Sequence, residues 1–370
     1  MRRLATLRVA LGLCLLALVL GACNDNLPKA TSIVHMRVLG AQTAVVGDPT
    51  RATPKPGEKA TLTWTMAFPS VEESDSELSS LFISCTAPTH FTGIPTCQEL
   101  IDAVQAPGGA AAPFAVLPMQ GGSCKGYEGK SLTVGSISST CVTHTPKLTV
   151  KIEPDSKVRA KLVLGIICRN GTPFLNPQSA SLFGCDAKAG VKPSDVETIG
   201  VYGTIPIEHT GQDENQNPDI GLATLKIAAA GGAVLDSVPA WLETKPADVP
   251  AMDDDCKDAA KANLITTADG EVDTIRIGYP AKPRELHQGV AETLEFSVYA
   301  TAGELERRFT LFPPDHAVVG GQMQDELSWK LSKAEKSAVG PNGKLVRFFF
   351  TLLDHDGGYD STMRAVCVMR

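Results

Sequence analysis

Aromatic residues are scarce in this chain of 370 residues, at 5%, which weighs against the exposed aromatic clusters on which lectins commonly stack sugars. Helical periodicity is also weak. Only "TCQELIDAVQ" (residues 96–105) and "DCKDAAKANLI" (255–265) suggest helices, the first with Thr96 and Glu99 in capping-box spacing. No G-x-S-x-G elbow, phosphate loop or dinucleotide fingerprint occurs, and the seven histidines, from His35 to His355, form no H-x-x-x-H pair. The usual marks of serine hydrolases, nucleotide enzymes and zinc hydrolases are therefore missing. "GGSCKG" places Ser123 beside Cys124 without the elbow's second spacing, so a disulfide loop explains it more simply. No motif recurs with a period of 20 to 50 residues, which argues against a solenoid.

What is present begins at the N-terminus. In "MRRLATLRVALGLCLLALVLGA", Arg2, Arg3 and Arg8 precede an apolar run from Val9 to Ala22, the pattern of a secretory signal. That run has 14 residues, short of the roughly 20 needed to span a bilayer. It ends in Leu20-Gly21-Ala22-Cys23, which resembles the bacterial lipoprotein signal, the lipobox. The resemblance implies cleavage before Cys23, a diacylglycerol on its thiol and further acylation of the new N-terminus. At about 0.8 kcal/mol per buried methylene, two or three acyl chains anchor a protein stably. An ordinary signal with an incidental cysteine is the alternative. The expected location is the cell envelope, lipid-anchored, with the outer membrane favoured over the inner. Loss of three arginines takes the formal charge from −7 to about −10, so nucleic acid is not an expected partner.

With Cys14 removed and Cys23 lipidated, eight cysteines remain: Cys85, Cys97, Cys124, Cys141, Cys168, Cys185, Cys256 and Cys367. An even number in an oxidising compartment favours disulfides. The zinc alternative needs short paired spacings, and the closest pair, Cys85 and Cys97, is 12 apart. If each half keeps its own, Cys256 pairs with Cys367. Cys85 and Cys168 both end apolar strand-like runs, "LFISC" and "LVLGIIC", and are expected to bridge two core strands. Cys124 and Cys141 flank a Gly/Ser-rich segment and are expected to close a local loop, which leaves Cys97 with Cys185.

Strand signals dominate the rest, among them "ATLTWTMAF", "SLTVGSI", "KLTVKI", "KVRAKLVLGIIC" and "VETIGVYGTIPI", then "LATLKIA", "TIRIGY", "ETLEFSVYA", "ERRFTLF", "LSWKL", "KLVRFFFTLL" and "TMRAVCVM". The polar, amide-rich "EHTGQDENQNPDI" divides them. The expectation is an all-β chain of two tandem antiparallel immunoglobulin-like β-sandwiches with short helical insertions. Its parts are a signal peptide (1–22), a tether (23–32), a disulfide-bonded sandwich (33–207), a linker (208–220) and a second sandwich (221–370). Trp64 and Trp329 are expected to be core residues between sheets, with sugar stacking as the alternative.

"PGEKATLTWTM" resembles the A-to-B strand region of immunoglobulin-like and PKD-like domains, and "GKLVRFFFTLLDHDGGYDSTMRAVCV" resembles their final F–G hairpin. Together with the lipobox, "NQNP" and a late cysteine, they resemble uncharacterised surface lipoproteins of myxobacteria and their relatives. That resemblance implies an architecture and a location, with no activity to carry over.

Acidic clusters remain. "VEESDSE" (Glu72, Glu73, Asp75, Glu77) and "MDDDCKD" (Asp253, Asp254, Asp255, Asp258) read as solvated loops, because adjacent like charges repel unless a cation joins them. "DENQNP", with Asp213, Glu214, Asn215 and Asn217, faintly resembles a cadherin calcium linker but lacks its companion acidic motifs. "DHDGGYD" holds Asp354, Asp356 and Asp360. Counted from Asp354 as an EF-hand loop, it puts Gly358 at position 5, Tyr359 at 6 and Ala365 at 12, where a ligand, a glycine and a glutamate are needed. A hairpin turn accounts for the same letters. No catalytic residue, metal ligand or cofactor is assigned. The expected role is non-enzymatic, binding or structural, with a protein or glycan partner. A carbohydrate-binding or carbohydrate-degrading surface protein and a calcium-dependent adhesin are the alternatives.

Overall fold

The computed structural model describes residues 30–87, 146–175, 183–209, 214–220 and 292–369, apart from 75, 77, 155, 316–317, 320–321, 324–325 and 355, together with strand segments elsewhere. The first ten strands are β1 (Arg37–Val45), β2 (Lys59–Ala67), β3 (Leu78–Thr86), β4 (Ala115–Val116), β5 (Cys141–Thr143), β6 (Lys147–Lys151), β7 (Ala160–Arg169), β8 (Gly171–Leu175), β9 (Phe183–Ala187) and β10 (Glu197–Pro206). One sheet runs β1-β2-β6. The facing sheet runs β10-β7-β3, with β4 and β5 in line along the remaining edge of β3, and every pairing is antiparallel. This is the A-B-E against G-F-C order of an immunoglobulin-like sandwich.

Trp64 on β2 is fully buried and stacks on Phe82 of β3, ring centroids 4.5 Å apart, with Leu62, Val163, Ile167 and Ile205 around it. Strand β7, "AKLVLGIICR", is apolar without alternation because both of its faces are covered. Val163 and Ile167 point into the sandwich, while Leu162, Leu164 and Ile166 pack outward with Leu175 and Phe183 of the β8–β9 hairpin.

The second unit contains the small hairpin β11 (Ile227–Ala228) and β12 (Val234–Leu235), then β13 (Leu264–Thr266), β14 (Ile275–Gly278), β15 (Leu294–Ala300), β16 (Glu304–Leu305), β17 (Phe309–Phe312), the hairpin β18 (Val318–Val319) and β19 (Gln322–Met323), β20 (Glu326–Lys330), β21 (Lys344–Asp354) and β22 (Tyr359–Met369). One sheet has the order β13-β22-β21-β15-β17 and the other β14-β20-β16. Strand β13 runs parallel to β22 while the other pairings of that sheet are antiparallel. Again B–E faces G-F-C. Phe296, Val298, Phe348, Phe350, Phe312 and Trp329 fill the space between. Trp329 Nε1 donates to Ala302 O at 2.7 Å.

The chain is therefore all-β, built of antiparallel sandwiches. Two α-helices occur among the described residues, α1 (Val71–Ser74) and α2 (Lys333–Ser337), the latter closed by a Ser332–Glu335 capping box, together with one 3-10 turn at Pro193–Asp195. Of the two helices expected from sequence, 96–105 lies outside the described residues. In the other, Leu264 and Ile265 belong to β13 and the remainder lies outside.

The cysteine pairing needs correcting. Cys168 bonds to Cys185, with Cα atoms 6.1 Å apart, so neither Cys85–Cys168 nor Cys97–Cys185 forms. The physical reason lies in strand direction. Both "LFISC" and "LVLGIIC" end in cysteine, but β3 and β7 are antiparallel, so Cys85 faces Leu162 and Cys168 faces Ser79. Six strand positions separate them, roughly 20 Å. Cys168 instead meets the hairpin that folds back over its own end. Cys85 is itself disulfide-bonded. Cys141 is opposite Ser80, five positions from Cys85 on the same strand, roughly 17 Å away and out of bonding reach. The expected partners Cys97, Cys124 and Cys256 lie outside the described residues. Cys367 is described by its backbone on β22, opposite Leu264 and Leu345.

Candidate functional site: the junction between the sandwiches

The two acidic and amide-rich stretches singled out in the sequence, "DENQNP" and "DHDGGYD", meet in space. Leu353 pairs with Tyr359, and Asp354 N donates to Gly358 O at 3.1 Å, so "DHDGGYD" is the β21–β22 hairpin turn. Asp354 organises it from within. Its Oδ1 accepts from the backbone N–H of Asp356 at 2.9 Å and of Gly358 at 2.7 Å. Gly357 takes φ 99°, the left-handed region, and a Cβ on Gly358 would overlap Asp354 Oδ2. Aspartate at the start and two glycines after it are thus the chemistry of the turn itself.

The other oxygen of Asp354 leaves the turn. Oδ2 accepts from Asn215 Nδ2 at 3.0 Å. Asn215 is buried and tied to the first sandwich, since its N–H donates to Thr53 Oγ1 at 2.8 Å and its carbonyl accepts from Ala52 N at 2.9 Å. Asn217 repeats the pattern. Its Nδ2 donates to Thr43 O at 2.7 Å, and its Oδ1 accepts from Tyr359 N at 3.1 Å. Gln42 Nε2 donates to Tyr359 O at 2.9 Å, and the hydroxyls of Thr65 and Ser361 lie 2.9 Å apart. The "linker" is therefore a polar weld between β1, β2 and the closing hairpin.

Asp360 completes it from β22. Its Oδ2 accepts from Ile220 N at 2.9 Å and its Oδ1 from Ser361 N at 2.8 Å. Burial holds its carboxyl above the ordinary aspartate value; the two N–H bonds oppose that shift and the nearby Asp219 adds to it. Tyr359 is buried, and desolvation pushes its phenol well up, countered in part by the Thr65 and Ser361 hydroxyls. Its ring lies on Gly40, at the bulge in β1, where a Cβ would fall inside the ring.

Beside this polar half lies an apolar one. Ile33, Ala67, Tyr299 and Phe349 are buried together, with Leu39 and Met363 packed against them. The Arg347 guanidinium, 5% exposed, donates to Phe68 O at 3.0 Å across the junction. Arg37 lies over the Tyr299 ring, 5.2 Å from its centroid. Ile33 N donates to Ala300 O at 2.9 Å and Ala300 N to Thr31 O at 3.0 Å, so the lead-in to the first sandwich pairs with the second.

Chemically, the junction joins surfaces. Its buried Asp354 carboxylate accepts from N–H donors at both oxygens, and among the described residues no three His, Cys, Asp or Glu side chains gather as a metal site. Of the acidic and amide residues in these two stretches, Asn215, Asn217, Asp354 and Asp360 converge here as hydrogen-bond partners of one another's segments. Asp356 contributes its N–H, Glu214 takes no part in these bonds, and Asp213 lies outside the described residues. Glu73, expected in a solvated loop, pairs with Arg169, which also holds Glu197. Trp64 and Trp329 are core residues, so neither offers a ring to a sugar. Cys23, the expected lipid-attachment residue, and the run Asp253–Asp258 lie outside the described residues.

Sequence reading passed over Gly40, Arg347 and Ile33. Two of them carried a signal: a glycine inside a strand marks close approach, and an arginine inside "LVRFFF" marks a charge that burial must satisfy.

No family model matches the chain, and no curated protein matches it. Among solved structures, a three-repeat fragment of mouse protocadherin-24, EC1-3, aligns over 93% of this chain and 94% of its own at 10% identity, with a TM-score of 0.15. At that score the two backbones do not superpose.

Proposed function

We propose that this protein is a lipid-anchored lipoprotein of the bacterial cell envelope, non-enzymatic, in which two immunoglobulin-like sandwiches act as one unit for binding or structural support. The observation that carries the second half of this reading is the junction itself. An apolar cluster and at least four side-chain bridges join the units, and its carboxylates are spent on N–H donors. Such a joint fixes the relative position of two surfaces, which suits presentation or load-bearing better than a cleft that must open. The lipobox residues Leu20-Gly21-Ala22-Cys23 support the anchor. The test is fractionation of the protein expressed in a bacterial host with its own signal. The wild type is expected in the membrane fraction and Cys23→Ser in the soluble periplasmic fraction. Equal soluble distribution of the two would overturn the anchor.

A further inference from the structure

We infer that the lipid anchor holds the molecule at the lead-in end of the junction, so that the Thr31–Ile33 end of the seam is nearest the bilayer and the second sandwich lies beside the first instead of above it. This rests on the lipid-anchor reading of Cys23. In a simple tandem, a tether feeds the first domain, which then stands between the membrane and the second. Here the lead-in residues are gripped by both domains before the first sandwich begins. Ser32 bridges to Ala300 in parallel, flanked by the hydrogen bonds of Thr31 and Ile33 to Ala300, at the end of β15 in the second sandwich. Ile33 is fully buried between Ala67 and the rings of Tyr299 and Phe349. From the first sandwich, Arg37 Nη1 donates to Ala30 O at 2.7 Å and to Ser32 O at 3.3 Å.

Thr31 is therefore a fixed point on the junction, and Cys23 precedes it by only eight residues. Even fully extended, that length reaches roughly 28 Å. The partner surface is the lipid headgroup layer. The strongly acidic chain gives no attraction to anionic lipid, so the short covalent tether sets the approach.

The test uses the full lipidated protein in phosphatidylcholine vesicles containing a headgroup nitroxide lipid, with a fluorescent noncanonical residue at one of three exposed positions. Val34 adjoins the lead-in, and Val46 follows the far end of β1, roughly 30 Å along the strand. Leu311 faces Glu295, five positions down β15 from Ala300, roughly 17 Å away. Quenching at position 34 is expected to exceed that at 46 by at least about twofold, with 311 between them, given the tether's reach. Quenching that is equal at all three, or greatest at 46, would overturn this placement of the anchor while membrane binding persisted. A wild type that fails to float with the vesicles would overturn the lipid anchor itself, and this inference with it. Cys23→Ser, left unbound, sets the zero of quenching.

Discussion

The two halves of the junction are built from opposite materials. On one side, Ile33, Leu39, Ala67, Tyr299, Phe349 and Met363 remove apolar surface from water, a force that is strong and indifferent to detail. On the other, Asn215, Asn217, Gln42, Thr65, Ser361 and Asp354 exchange hydrogen bonds at 2.7 to 3.1 Å. Each of these nets only about 1 kcal/mol when made, but leaving a buried partner unsatisfied costs about 1 to 3 kcal/mol. Strength therefore resides in the apolar half, and the choice of one mutual position in the polar half. Arg347 belongs to both, its buried charge committed to a carbonyl of the other unit.

This division predicts a graded series. Phe349→Ala leaves a cavity against Ile33, Ala67 and Tyr299 and is expected to cost about 3 to 5 kcal/mol in urea unfolding. A cost near zero would mean that the apolar half is not a true contact. Gly40→Val drives a side chain into the Tyr359 ring and should cost about 1 to 3 kcal/mol through overpacking, with the neighbouring amides of Tyr359 and Ser361 losing hydrogen-exchange protection. Asn215→Ala removes the Nδ2 donor that Asp354 Oδ2 accepts from and should cost about 1 to 3 kcal/mol. Its signature is a broadened distribution of distances between the sandwiches, where Phe349→Ala chiefly lowers stability.

The smallest effect concerns pH. Burial raises the Asp360 carboxyl above its ordinary value of 3.8, so the folded protein holds that proton more tightly than the unfolded chain. Its contribution is fully present below the ordinary value and is lost as pH rises through the raised one. Glu335 has the opposite sense. Burial pushes it up, but the N–H of Gly303 and the hydroxyl and N–H of Ser332 outweigh this and leave it lowered, so its contribution is lost on acidification. Asp360→Asn should therefore remove the descending part of the stability profile above the ordinary aspartate range and leave the acid limb intact. A descending limb unchanged in the variant would show that Asp360 is not its source.

Much of the architecture was legible because strand alternation and turn chemistry are local. "KLTVKI" and "ETLEFSVYA" carry their period on their face, and "DHDGGYD" declares a hairpin through the positive φ of Gly357. Strand β1 was harder to read, since "RVLGAQTAV" is mostly half-buried and interrupted at Gly40 by a bulge. The disulfide partner of Cys168 depends on which way β3 and β7 run relative to each other, which no single strand encodes. The junction was hidden for a similar reason. Asn215 and Asp354 each looked explained by its own loop, and only the fold brings them 139 residues across the chain into one hydrogen bond.

The account's central claim is that the junction makes the two sandwiches one cooperative unit. The most direct measurement is native-state hydrogen exchange at increasing urea, following the amides of β2 in the first sandwich and β21 in the second. Coupled units predict that both strands lose protection together, at the same urea concentration and with the same opening free energy, and that Phe349→Ala separates them. Strands that open independently in the wild type, at clearly different urea concentrations, would contradict the claim.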